Sequence, residues 1–500
     1  MQALTLTARY QNKVHALYAQ LKAPCTMLLE SAEVRDKSGK QSIIGLNCAL
    51  KIVVHDRKVT LEPKNANGRA VVEQLKRGFQ LQAEPDGSFS VDFPPAPQGL
   101  DEISRLKVPG PLDVLRAIRV LLQDFKPLTL AGLISFDFIR SFEHFAPQDF
   151  PEDSPDLCFY LYDLNIVVNH LKRELTINLF AFDDESYTAL AMQALKVKTL
   201  IDREDFDLPL TEVKAAPEFE PDISDADFCR IVSSLKEHIC CGDIFQVVPS
   251  RTFLQHCSDP YLAYCYLKTD NPSPYAFYFY DDDFVLFGAS PEFALRFDPE
   301  TRQAAISPIA GTRIRGRHPD GSLDPDLDDR LELELRTDKK EIAEHLMLVD
   351  LARNDLARIA KPGTRKVSNL LHVDRYQSVM HLVSDVTAEL RDDLDALHAY
   401  LAAMNMGTLS GAPKIKAHEL IYQYEGKKRG FYGGVAAIIS ADGTFDSCII
   451  IRSALVKNGT ARIQAGCGVV YDSDPQSEAD ETLNKAKSVL LAVAKSEAAK

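Results

Sequence analysis

The chain is predicted to be α+β with substantial antiparallel sheet, and three observations carry that prediction. Two hairpin signals, Asp442-Gly443 and Asn458-Gly459, each sit between apolar runs. Long patterns of helical period at 338–358, 411–424 and 475–495 alternate with such runs. No GxGxxG follows a strand-like run and no P-loop pattern occurs, so a doubly wound nucleotide-binding fold has no motif support.

Taken in order, residues 28–62 read as strands with polar breaks: LLESAEV, IIGLNCALKIVVH and KVTLEP. Residues 93–111 hold several Pro and Gly and read as a surface connection. A helix is predicted over 112–124, and the apolar runs at 130–138 and 158–181 suit strands. The stretch 202–222, DREDFDLPLTEVKAAPEFEPD, is acidic and contains Pro, and it divides the chain into regions 1–215 and 216–500. Ser224 with Asp227 three residues on resembles a capping box. Phe228, Ile231, Leu235 and Ile239 follow at helical spacing, and Gly242 can end that helix. IFQVVPSR (244–251) reads as a strand, and the two hairpin signals imply a three-stranded meander over 433–440, 446–457 and 461–466.

The 500 residues suggest two to four domain-sized units. Hydrophobic residues make up 45% and charged residues 26%, which is ordinary for a soluble globular chain. The net charge of −15, with no long basic run, argues against nucleic acid or an anionic membrane as the main partner. An anionic small substrate stays compatible, because an Arg or a metal reverses the field inside a cleft. There is no signal-peptide pattern and no run of about 18 apolar residues, so a cytoplasmic enzyme without membrane spans is expected. The ten Cys show neither CxxC nor zinc spacing and are expected as reduced thiols.

Glu341 and Glu344 share one helical face at i, i+3, and Glu478 and Glu481 do the same in the last helix. Carboxylates from two helices can meet around Mg²⁺; equally, acids beside Lys339, Lys340 and Lys485 make an ordinary solvated face. Four glycine-rich segments, PIAGTRIRG, GTLSGAPK, RGFYGG and QAGCGVV, fall at element ends. They are either turns or anion-binding backbone, and Arg452 between them suggests a dianionic ligand. Cys467 reads as a small packed side chain, not a nucleophile. His381, in an apolar run, reads as a core residue or as a functional one.

The motifs GDIFQVVPSR, FGASPE, PIAGTR, EHLMLVDLARND, GTLSGAPK, RGFYGG, AGCGVVYDSDP and EADETLNKAK together resemble those of the chorismate-utilising enzymes. The resemblance runs from Leu28 to Lys487, nearly the whole chain. It implies antiparallel sheets packed as a sandwich with helices outside. It implies Glu344 and Glu481 as Mg²⁺ ligands, with Glu478 assisting, and Glu341 as the general acid at the departing ring hydroxyl. Thr408 and His381 would orient that end of the substrate. Tyr432, Arg452 and the backbone of Gly466, Cys467 and Gly468 would bind the second carboxylate, with Gly311 and Thr312 also lining the site.

Within the family the resemblance is to the anthranilate-forming branch, which opens tryptophan synthesis. Relatives that make aminodeoxychorismate carry Lys in PIKGT, where this chain has Ala310, and relatives that use water carry a Lys where this chain has Gln246. Ammonia is therefore the implied nucleophile. It would come from a separate glutamine amidotransferase subunit, in a hetero-oligomer of two large and two small subunits. Ser31, in LLES, with Asn271, Pro274, Tyr275 and Ala276, resembles the family's tryptophan feedback site, although Met commonly stands where this chain has Ala276. The rival readings are an aminodeoxychorismate-forming enzyme, which releases no pyruvate, and a non-catalytic ligand sensor.

Overall fold

The computed structural model describes residues 1–32, 39–97, 99–125, 127, 129–145, 150, 154–376 and 379–499. Glu33 and Val34 of the first strand motif lie outside these residues.

The frame is a long bent ribbon. The strand Gly39–His55 runs antiparallel to Leu157–Asn169, and their register slips repeatedly between Gly45 and Leu50. Such bulges bend a strand and raise its twist, so the two halves of the ribbon serve two sheets. The first half joins Thr26–Ala32 and continues through Tyr275–Tyr280, Val285–Ser290, Ser453–Lys457, Thr460–Gly466 and Ser250–His256. The second half joins Thr129–Ile134 and continues through Val435–Ile439, Phe445–Ile449, Phe293–Asp298, Gln303–Ile306 and Val379–Glu389.

Met27, Tyr160, Phe277, Phe279, Ala436 and Ile450 pack between the sheets. Helices cover the outer faces. Val14–Leu21, Asp184–Arg203, Pro260–Asp270 and Pro475–Ala498 bury their apolar sides on the first sheet, and Ala66–Leu75, Leu112–Leu121 and Ala396–Ala403 on the second. The architecture is the sandwich with external helices that the resemblance implied.

The acidic stretch is an extended connection: residues 204–219 contain neither helix nor strand. The regions on either side of it share both sheets, because Thr26–Ala32 pairs with Tyr275–Tyr280 and Thr129–Ile134 with Val435–Ile439.

Both Gly hairpins form, with Gly443, Asn458 and Gly459 at positive φ. The single middle strand expected over 446–457 is instead two, Phe445–Ile449 and Ser453–Lys457. Arg452 takes a φ of +50°, which a strand cannot continue through, and the two pieces pair in different sheets. The expected strand 244–251 likewise divides into Gln246–Val247, paired with Gly411–Ala412, and Ser250–His256 in the first sheet. The last predicted helices shift at their ends, to Lys414–Glu425 and Pro475–Ala498. No helix among the described residues is long and apolar enough to cross a membrane.

Candidate functional site

Two helix N-termini bring four carboxylates together. Asp338 caps the helix Lys339–Ala357 by accepting from the Lys340 and Glu341 amides, and Asp474 caps Pro475–Ala498 by accepting from Ser477. Glu341 and Glu478 therefore lie in first turns, where the helix dipole favours negative charge, and Glu344 and Glu481 follow one turn on. Burial raises Glu344 to about 7, and the charges of Glu341, Glu478 and Glu481 add to that rise against Lys340. Glu478 is also raised, first by burial, and its Oε2 is buried with no hydrogen-bond partner.

Cations already hold three of these groups. Arg313 pairs with Glu341 at 2.7 Å, Lys340 with Glu344 at 3.8 Å and Lys485 with Glu481 at 2.6 Å. Among the described residues no three His, Cys, Asp or Glu are gathered tightly enough to hold a metal ion as they stand. Four carboxylates against three cations, with one Glu478 oxygen orphaned, nonetheless fit a hard dication with oxygen ligands.

Beside this cluster lie Arg452 and the glycine-rich segment 466–468. Arg452 is half-buried at the break between its two strands, and its field is felt by Tyr432, Glu481 and Glu292. A Cβ on Gly466 would come within 2.6 Å of Pro249 O and 3.1 Å of the Tyr432 hydroxyl, so the backbone contact makes that position need a glycine. Gly468 lies against the Gln246 amide, 3.6 Å from where its Cβ would be, which is ordinary contact. Cys467 between them is fully buried, its thiol pushed well above the ordinary range by burial, and its amide donates to Pro249 O at 3.2 Å.

Thr312 stands opposite His381 in adjacent strands, and Thr312 Oγ1 lies 2.8 Å from His381 Nδ1. Burial, then the charge of Arg452, lowers His381 to about 4, so it is neutral at physiological pH. Gly311, at φ +87°, packs against Glu341, whose Oε2 would be 3.1 Å from an added Cβ.

Sequence reasoning missed two site residues. Glu292 is 7% exposed and accepts a 3.2 Å hydrogen bond from Thr408 Oγ1. Burial raises it to about 8 despite that bond and the fields of Arg452 and Lys485. It is a protonated carboxyl at neutral pH, and the signal for it was present: it ends the quoted motif FGASPE, an acid closing an apolar strand. Lys485, read only as a helix-surface partner of Glu481, also donates to Gly466 O at 3.1 Å.

A second location gathers the residues of the expected effector site. Ser31 stands opposite Tyr275, and Ala276 opposite Glu30. Ser31, Tyr275 and Ala276 line a cavity of about 60 Å³ with Ile438 and Ser447, so a ligand of indole size requires its walls to part. Pro274 is buried directly before the strand, and Asn271 ends the helix Pro260–Asp270 by donating to Leu267 O.

Comparison with known proteins gives a consistent picture. The profile of the chorismate binding enzyme family matches residues 82–491. The chain is 47% identical to anthranilate synthase component 1 of Haemophilus influenzae, over 94% of this chain and 92% of that one. It is 46% identical to the Escherichia coli protein of the same name, over 99% and 97%. Its fold matches the crystal structure of anthranilate synthase component I from Streptococcus pneumoniae TIGR4, with a TM-score of 0.69 and 29% identity over 90% of this chain and 92% of that one. The menaquinone-specific isochorismate synthase of Escherichia coli shares the fold at 17% identity, with a TM-score of 0.67 over 98% and 94% of the two chains.

Proposed function

The chain belongs to the chorismate binding enzyme family, and from that premise we propose that it is the large subunit of an anthranilate synthase. It would convert chorismate and ammonia to anthranilate and pyruvate, the ammonia coming from a separate glutaminase component. The observation that carries the choice of branch is Gln246: its amide lies against Gly468, and Ala310 stands in the strand Ile309–Ile314, so neither position offers a lysine. Water has no base there and the ring no amine nucleophile, which favours ammonia.

The residues divide the work. Arg452 suits one carboxylate because its guanidinium pairs such a group bidentately. Tyr432 and the Gly466–Gly468 backbone close the same end. Glu344, Glu478 and Glu481, with Glu341 behind them, would hold Mg²⁺, which neutralises and positions the other carboxylate. Glu292 supplies the proton at C4. A hydroxyl leaves poorly unless protonated, and this carboxyl carries its proton at neutral pH and is aimed by Thr408. Glu341, cast as the acid by the resemblance, is engaged by Arg313 at 2.7 Å, whereas Glu292 is held by Thr408 alone among side-chain donors. Neutral His381 orients the leaving hydroxyl without competing for the proton. As ammonia bonds to C2 the hydroxyl leaves C4 as water; the ring then gives up its C2 proton as the ring–ether C–O bond breaks, the enolpyruvyl methylene takes up a proton, and pyruvate and the aromatic ring result.

The test is product identification from chorismate, Mg²⁺ and ammonium salt with the purified chain. Anthranilate and pyruvate should appear in equal amounts, with none formed from glutamine until a glutaminase subunit is added. An aminated product that keeps its enolpyruvyl group would favour the aminodeoxychorismate branch, and no turnover would favour a ligand sensor.

A further inference from the structure

Glu292 must regain a proton once per turnover, and it is 7% exposed. A small cavity of about 20 Å³ touches it. Glu292, Thr408 and Asp355 all line it, and Leu348, Leu351, Ala352 and Met406 make the rest of its wall apolar. That volume holds about one water, which these polar residues could bind. Asp355, 6% exposed, also lines a far larger open groove of about 1020 Å³, together with Lys414, Arg358 and Glu143. Lys414 Nζ donates to Asp355 Oδ2 at 2.8 Å and to Ala403 O at 2.8 Å.

We propose that Asp355 and the one-water cavity form a proton return path from the groove to Glu292, with Lys414 holding the relay in place. This rests on the reading of Glu292 as the acid. Each cycle balances: the C4 hydroxyl leaves as water with the Glu292 proton, and the new C2 ammonium gives a proton to solvent. Asp355 passes a proton through the cavity water to Glu292 and recovers one from the groove. The surroundings suit a relay. Arg452 and Lys485 face Glu292, and Lys414 and Arg358 face Asp355, so at each carboxyl burial, which favours the acid, is opposed by nearby cations. Asp355 is pushed up by burial, against Lys414, and Lys414 is pushed down by its own burial.

Two variants separate the relay from the chemistry. Asp355→Asn removes the exchangeable acid, and Ala352→Leu fills the cavity while leaving every polar group in place. With Mg²⁺ and ammonium, rapid-quench experiments should show a first turnover near the wild-type rate in both. A steady state at least about tenfold slower should follow, with a burst of one product per site and a larger solvent deuterium effect. First-turnover and steady-state rates falling together, or a steady state unchanged in Ala352→Leu, would overturn the relay. If Asp355→Asn does not fold, Ala352→Leu decides alone. Glu292→Gln, run alongside, should lose the first turnover itself; if it keeps it, the acid assignment falls separately from the path.

Discussion

Thr408 Oγ1 donates to Glu292 Oε1 at 3.2 Å, and that bond opposes the burial that raises the carboxyl to about 8. The pH behaviour follows from the sign. The active form is the acid, which dominates below the folded pKa, so the rate at fixed free ammonia should fall as pH rises through about 8. Thr408→Val removes a bond that favours the ionised form, so the alkaline limb should move to higher pH while the rate drops. Glu292→Gln should cost about 10²- to 10⁴-fold in kcat. Loss of activity in Glu341→Gln should instead be recovered in part by excess Mg²⁺. Parallel pH–rate profiles of the three variants check this; a limb unmoved by Thr408→Val would detach it from Glu292.

Arg452→Lys should be severe although charge is kept, because an ammonium cannot reproduce the planar fork. A loss of roughly 2–5 kcal/mol in chorismate binding is expected if the pair is desolvated. Calorimetric titration with chorismate measures it directly, and wild-type affinity would remove Arg452 from the site.

Glu478→Gln should move two properties in opposite directions. Its folded pKa is raised, so its contribution to stability is present below the ordinary Glu value and is lost as pH rises through the raised one. At neutral pH its buried, partnerless oxygen is a cost, and Gln should stabilise the metal-free chain by on the order of 1 kcal/mol. The same change should shrink the rise in melting temperature that Mg²⁺ produces. Thermal melts with Mg²⁺ and with chelator test both, and a destabilised metal-free variant would show that the charge is already compensated.

Much of this was legible in the sequence because it is local. Hairpin glycines, helix caps and the i, i+3 acid pairs need only neighbours along the chain, and they formed where expected. The strands between Tyr275 and Ile306 did not stand out, because sheet partners bury both of their faces and their apolar runs do not alternate. The break at Arg452 was invisible for a related reason: two apolar runs that belong to different sheets read as one strand. Glu292 escaped because its burial, and hence its protonation, depends on contacts with Thr408 and Ile309 that are remote in sequence.

Tryptophan should bind between the Ser31 and Tyr275 strands and lower chorismate affinity, an effect that requires the effector to favour a state poorer in substrate binding. The pocket wall has a link toward the site. Tyr275 Oη donates to Asp446 at 2.8 Å and accepts from Arg296 Nε at 2.8 Å, and Asp446 lies on the strand Phe445–Ile449, which ends three residues before Arg452. A ligand that parts the walls of the 60 Å³ cavity therefore pushes on the strand that leads to the carboxylate-binding Arg. A typical coupling of about 1–3 kcal/mol is expected. Ala276 leaves less apolar wall than a Met would, so inhibition should be present but weak, and Ala276→Met should strengthen it by restoring contact with the ligand. Tyr275→Phe, which breaks the link to Asp446, should keep binding and lose inhibition. Tryptophan titrations followed by calorimetry and by rate distinguish these outcomes. Tight binding to the native chain with none to Ala276→Met would mean that the methionine overfills the packed cluster that Ala276 shares with Tyr278 and Phe287 and distorts the strand beside the cavity.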